Sequence, residues 1–106
     1  MFTPKEYITS MLKQSIIVVF SKPMCVLCDK IKKELKDTNI EFLDIDITTL
    51  DEDEVDSIEV INELKNQTKS NSYPFCFYDE EYIVWENLIK KLMMNNNNND
   101  YNIDSL

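Results

Sequence analysis

The chain contains no glycine and no histidine, and neither alanine nor arginine occurs anywhere along it. Each absence removes a class of chemistry. Without histidine there is no imidazole to activate a serine or cysteine nucleophile, and the common zinc ligand sets cannot be assembled. Without glycine there can be no Walker A loop or Gly-rich dinucleotide turn, because both bring bare backbone up against phosphate. Every cation is a lysine, eleven of them against twenty acidic residues, for a net charge of −9. That excess repels phosphates, so no nucleic-acid partner is expected. Long apolar runs are missing too: Ile16 to Phe20 is the longest, far short of the roughly 20 residues that span a membrane. What remains is one domain's worth of chain, 106 residues of which 43% are hydrophobic, and three cysteines. A single core can be built from that, and the chemistry left to it is that of sulfur. The missing residue types beside abundant Ile, Asn and Lys fit AT-rich coding, so most of the absences describe codon usage.

The N-terminal segment Met1-Phe-Thr-Pro-Lys-Glu-Tyr has no basic stretch leading into a long apolar run, so no secretory leader is expected. An odd number of cysteines, two of them three positions apart, suits a reducing compartment better than a secreted disulfide framework. A cytoplasmic protein without membrane association is therefore expected.

Local patterns define the elements. Thr3-Pro4-Lys5-Glu6 is a capping box with proline at the first helical position, predicting a helix from about Pro4 to Lys13. Ser15 to Ser21 is a β-branched run apolar on both faces, as in a central buried strand. Leu27, Cys28, Ile31 and Leu35 recur at helical spacing from Cys25 or Val26 to about Asp37. Glu41 to Ile47 predicts a second strand, and Val55, Ile58, Ile61 and Leu64 a helix opened by the acidic run Asp51 to Glu54. Tyr73 to Tyr78 and Glu81 to Trp85 read as a hairpin whose turn, Asp79-Glu80, lacks the usual glycine. A final helix is predicted from Glu86 to about Met94. The five asparagines and polar remainder from Asn95 to Leu106 show no apolar period and predict a disordered tail. The chain thus divides into a domain at 1–94 and a tail at 95–106. Strands joined through a crossover helix run parallel and hairpin strands antiparallel, so the fold is α/β, a four-stranded mixed sheet covered by helices.

Cys25-Val26-Leu27-Cys28 directly follows the first core strand and opens a helix. Free N–H groups and the helix dipole at that position favour a thiolate, so the Cys25 pKa is expected below the free value of about 8.5. Lys22 adds a nearby positive charge. Cys28, one turn in and on the same side, is suited to resolve a mixed disulfide formed by Cys25. Half of a zinc site, or two unreactive buried thiols, are the competing readings, but zinc takes four ligands and only Cys76 remains, so no metal is expected. Pro74 begins the third strand after an aromatic residue. By itself it reads either as an ordinary edge or turn proline or as a cis-proline.

Taken together, these segments resemble the glutaredoxin branch of the thioredoxin superfamily, of the dithiol C-x-x-C type. Ile17-Val-Val-Phe-Ser-Lys-Pro-Met-Cys-Val-Leu-Cys is similar to the family's strand and Ser-Lys-x-x-Cys-x-x-Cys motif. Glu41-Phe-Leu-Asp-Ile-Asp is similar to its second strand, and Ser72-Tyr73-Pro74 to its Thr-Val-Pro segment. The likeness covers roughly residues 15 to 92. It implies a thioredoxin-like fold, a cis Tyr73–Pro74 bond, and thiol–disulfide exchange with glutathione as co-substrate. It further implies Cys25 as nucleophile, Cys28 as resolving thiol, Lys22 as a glutathione carboxylate site and Tyr73 backbone pairing with glutathione. The expected partners are glutathione and disulfide-containing or glutathionylated proteins, met by a monomer acting in electron transport. Three residue pairs depart from the family. Val26-Leu27 stands for its usual Pro-Tyr, Val84-Trp85 for its Gly-Gly turn, and Glu86-Asn87 for its Cys-Asp. Asn87 still offers hydrogen bonds to the γ-glutamyl end, whereas Trp85 adds bulk and Glu86 a like charge. An iron–sulfur cluster module, a thioredoxin-like reductase that does not use glutathione, and a non-catalytic interaction domain remain as alternatives.

Other singled-out residues have simpler roles. Cys76, sharing a sheet face with Pro74, reads as a small core residue, and Trp85 as packing. Met11, Met93 and Met94 read as filler on helix faces. Lys30, Lys32, Lys33 and Lys36 make a basic helix face, by default a solvated one. The acidic block Asp44 to Glu54 reads as a solvated loop and helix start.

Overall fold

Helix α1 (Pro4–Leu12) begins where the capping box puts it. Glu6 N–H donates to the Thr3 hydroxyl at 3.1 Å, and Thr3 N–H donates to the Glu6 carboxylate at 3.0 Å. Two N–H groups that a helix start leaves open are thereby satisfied. The same bonds, led by the Thr3 backbone, hold the Glu6 carboxyl below its usual pKa. These observations come from a computed structural model that describes residues 3–53 and 55–104.

Strand β1 (Ile17–Ser21) is buried along its whole length. Strand side chains alternate, so Val18 and Phe20 pack on one side while Ile17 and Val19 pack on the other. Helix α2 (Val26–Asp37) follows, burying Cys28, Ile31 and Leu35 at spacings of three and four. It returns the chain to β2 (Leu43–Asp46), which lies parallel to β1 with Val19 opposite Asp44. After α3 (Ser57–Thr68) come β3 (Phe75–Tyr78), β4 (Glu81–Ile83) and α4 (Trp85–Asp104). The sheet order is β2-β1-β3-β4, with β1–β3 and β3–β4 antiparallel. This is the four-stranded mixed sheet covered by helices that the sequence predicts.

The core lies in two layers. Tyr7, Ile8 and Leu12 of α1 and Val60 and Leu64 of α3 close over Val18, Phe20, Phe75 and Phe77. On the opposite face, Ile31 and Leu35 of α2 and Leu88 and Leu92 of α4 cover Ile17, Val19 and Cys76. Asp79 and Glu80, at φ 51° and 68°, turn the β3–β4 hairpin through the left-handed geometry such a two-residue connection needs.

Two expectations are corrected. The acidic run precedes α3 rather than forming its first turn: residues up to Asp53 belong to a 3-10 helix, Ile47–Asp53, from which Asp51 accepts the N–H of Ser57, the first residue of α3, at 3.2 Å. Asp56 is the N-cap, accepting from Ile58 and Glu59 N–H at 2.9 and 3.1 Å. A short carboxylate reaching its own next backbone groups competes with helix continuation and fixes the boundary there; Glu54 lies outside the described residues. The second correction concerns the C-terminus. Rather than ending near Met94, α4 continues through the asparagine run to Asp104. Neither proline nor glycine interrupts that stretch, so nothing in the covalent chain forces the backbone ladder to stop. Ser105 and Leu106, which end the expected tail, lie outside the described residues.

Candidate active site

The end of β1 is anchored before the cysteines begin. Ser21, buried at the end of an apolar strand, donates its hydroxyl to Asp44 Oδ1 of β2 at 2.7 Å. The other carboxylate oxygen of Asp44 takes Lys32 Nζ of α2 at 3.3 Å. One carboxylate therefore ties β1, β2 and α2 together beneath the connecting loop. That loop, Lys22-Pro23-Met24, is exposed, and Met24 adopts a left-handed backbone with φ 58°.

Cys25 is the N-cap residue of α2, its backbone extended at φ −113° and ψ 108°. Cys28 N–H donates to Cys25 Sγ at 3.2 Å, and Asp29 N–H donates to the Cys25 carbonyl at 3.1 Å. Sulfur here does what a serine or aspartate oxygen does at most helix starts. Cys25 and Cys28 are joined as a disulfide with Cα atoms 5.2 Å apart, within the ordinary range for such a bridge. Cys25 is 9% exposed and Cys28 fully buried, so only the first sulfur stands where another molecule can approach it. The helix N–H and dipole face that same sulfur, the one suited to carry negative charge on reduction.

The Tyr73–Pro74 peptide bond is cis, as the resemblance implies. Phe75 pairs with Phe20, which brings the start of β3 and the end of β1 to one end of the sheet. Lys22 Nζ lies 4.6 Å from the centre of the Tyr73 ring, close enough for attraction to its face. The Tyr73 ring also meets Phe75 edge-on at 5.0 Å, and partial burial pushes its phenol above the usual pKa. Pro74 is buried. Because β4 runs antiparallel to β3, with Ile83 opposite Cys76, α4 also begins at this end. Trp85 there meets Lys30 Nζ of α2 at 5.4 Å.

The predicted site residues thus divide by contact. Cys25 and Cys28 are bonded, Lys22 touches Tyr73, and Pro74 adjoins Tyr73 through the cis bond. Asn87 is exposed in the first turn of α4 and makes no side-chain hydrogen bond among the described residues. Cys76 is fully buried, and burial pushes its thiol up to about 12, so it is a packing residue. Trp85 packs against the cluster of α2 and α4. The basic face of α2 finds local partners: Lys30 on Trp85, Lys32 on Asp44, Lys33 on Asp37 at 2.7 Å. The Ser21–Asp44–Lys32 anchor and the left-handed Met24 go unread in the sequence. The only hint of the anchor is a hydroxyl ending a five-residue buried strand. Among the described residues no group of three or more His, Cys, Asp or Glu side chains is arranged to hold a metal ion.

A mixed sheet between helix layers, with a C-x-x-C disulfide capping the helix after β1 and a cis-proline at the same end, defines a thioredoxin-fold protein of the thiol–disulfide oxidoreductase type. A family model described as Glutaredoxin matches residues 17–83, and the chain belongs to that family. The holo form of glutaredoxin C1 from Populus tremula x tremuloides superposes with TM-score 0.74 at 19% identity, covering 89% of this chain and 90% of that one. Wheat glutaredoxin gives TM-score 0.71 at 24% identity, with 82% and 79% covered. A buckwheat glutaredoxin–glutathione complex gives 0.66 at 20% identity, with 76% and 73% covered. At these identities the likeness speaks for the fold. No curated protein matches in a sequence comparison.

Proposed function

We propose that this protein is a glutathione-dependent thiol–disulfide oxidoreductase of the cytoplasm, reducing protein disulfides or glutathione mixed disulfides through Cys25 and Cys28. The observation that carries the reading is Cys25 Sγ at the cap of α2, accepting the Cys28 N–H and bridged to the buried Cys28 sulfur. Starting from the dithiol, the Cys25 thiolate attacks one sulfur of a substrate disulfide. The S–S bond breaks and the leaving sulfur departs as a thiolate that takes a proton from water. Cys25 is then in a mixed disulfide. Cys28, deprotonated, attacks Cys25 Sγ and expels the second substrate thiolate, leaving the Cys25–Cys28 disulfide. Two electrons have passed to the substrate. Two glutathione molecules, oxidised to their own disulfide, restore the dithiol. Lys22, exposed beside Tyr73, and Asn87, exposed at the start of α4, are the groups suited to a glutathione carboxylate and to its γ-glutamyl end.

The test uses the mixed disulfide of glutathione and mercaptoethanol, with glutathione as reductant. Cys25→Ser is expected to remove turnover, a loss of at least ~10²-fold for a nucleophile acting covalently. Cys28→Ser is expected to keep part of it, because external glutathione can resolve the mixed disulfide. Turnover retained by C25S overturns the assignment. A dithiol reductase independent of glutathione is the second reading. It is favoured by Trp85 and the acidic Glu86 at the start of α4, where the family's glycines and neutral residue would leave room. Turnover with a dithiol reductant and none with glutathione selects it.

A further inference from the structure

Among the described residues, eight large hydrophobic side chains are exposed, and three of them immediately flank the reactive sulfur. Met24 is 100% exposed, Val26 82% and Leu27 38%. They flank in the chain a cysteine that is itself only 9% exposed, so apolar surface borders the sulfur that a substrate must reach. Met24 is also held at φ 58°, a region that costs a side-chain-bearing residue about 1–2 kcal/mol relative to glycine. Its long apolar side chain is left wholly in solvent one residue before Cys25. Neither the helix nor the core requires an apolar residue at these positions: α2 buries Cys28, Ile31 and Leu35, not Val26 or Leu27. Exposed apolar residues thus lie on both sides of Cys25 in the chain.

From this rim we infer that the preferred substrate is a cysteine lying within an apolar stretch of a protein chain, with Met24 and Val26 as the residues that select it. The inference rests on the oxidoreductase reading and names its substrate class. Glutathione presents two carboxylates, an ammonium and amides around its thiol, with no apolar side chain to cover the rim. A protein segment with Leu, Val or Phe beside its cysteine removes both surfaces from water as the sulfurs approach. Partial burial of two such side chains stabilises the encounter enough for about tenfold in affinity or more.

Binding and turnover are measured separately. Two fluorescein-labelled peptides carry serine in place of a central cysteine, one flanked by Leu and Val, the other by Ser and Asn. Their binding to the oxidised wild-type protein and to the Met24→Ser/Val26→Ser variant is read by fluorescence anisotropy. The apolar peptide is expected to bind the wild type about tenfold more tightly than the polar one, and the double variant is expected to lose most of that ratio. Equal affinities in the wild type, or an undiminished ratio in the variant, overturn the inference. The cysteine forms of both peptides, as mixed disulfides with glutathione, then serve as substrates, and the ratio of kcat/KM is expected to follow the ratio of affinities. A binding preference without turnover of either substrate refutes the oxidoreductase reading alone. Turnover of both at equal kcat/KM refutes the substrate class alone.

Discussion

Cys76 lies two residues past Pro74, with Val19 and Ile83 opposite it across the sheet. No charge or donor offsets its burial, and the thiol rises from an ordinary 9.0 to about 12. Below pH 9 the thiol is neutral in both folded and unfolded chains, and the stabilisation from its burial is complete. Between pH 9 and 12 the unfolded chain gives up this proton while the folded one keeps it. Stability is therefore lost as the pH rises through that window. Urea unfolding of the oxidised protein is expected to show a steeper alkaline fall for wild type than for Cys76→Ala, although the variant starts lower at pH 8. Parallel pH profiles would refute the account; the lysines and tyrosines that titrate in the same range are common to both proteins and cancel. The cysteine pair was legible in the sequence because the chemistry of a helix N-terminus is local: four residues carry the whole argument. The Ser21–Asp44–Lys32 anchor was not, since it depends on the strand register that sets Val19 opposite Asp44. No spacing along the chain announces that register.

The scarcity of glycine reappears in the elements as backbone geometry. Five described residues, Met24, Asn39, Lys69, Asp79 and Glu80, sit at positive φ, and none is glycine. Lys69 ends α3 at φ 59° as its C-cap, and Glu80 completes the hairpin turn at φ 68°. Both positions pay for a Cβ where glycine would relieve the clash. Glu80→Gly and Lys69→Gly are each expected to stabilise the protein by about 0.5–1 kcal/mol, the relief offset in part by the greater freedom of the unfolded chain. The denaturation midpoint measures this, and a drop in either variant would show that the side chain contributes more than its backbone strain costs. The hairpin was readable because its two apolar runs leave two residues for the turn. The start of α3 is not legible in the sequence because four consecutive acids offer several equivalent caps. The structure caps the helix with Asp56 and leaves Asp51 the Ser57 N–H, with Val55 buried just outside the helix.

At the scale of the molecule, apolar periodicity predicted the order of elements and failed where it ran out. Every helix whose buried face repeats at three and four residues was expected near its observed place, and the sheet followed from the connections. Beyond Leu92 no such face remains to be read, yet α4 continues to Asp104. Leu88 and Leu92 are the helix's last described residues in the core, while Met93 and Met94 are exposed. Leu88 and Leu92 fasten α4 to the sheet, whereas the asparagine run that follows consists of residues of poor intrinsic helix propensity. Length of helix and strength of attachment are separable here, and a deletion tests it. Removing residues 95–106, whose sequence offers no periodic apolar face, is expected to reduce helical ellipticity while changing unfolding free energy by less than about 0.5 kcal/mol. Leu88→Ala in the full chain makes the contrast, with an expected loss of about 2–5 kcal/mol from a cavity between α4 and β3. If the deletion cost as much as L88A, the last helical turns would be part of the folded core rather than an extension of it. Intact glutathione turnover after the deletion would further locate the chemistry wholly at the β1–α2 end of the sheet.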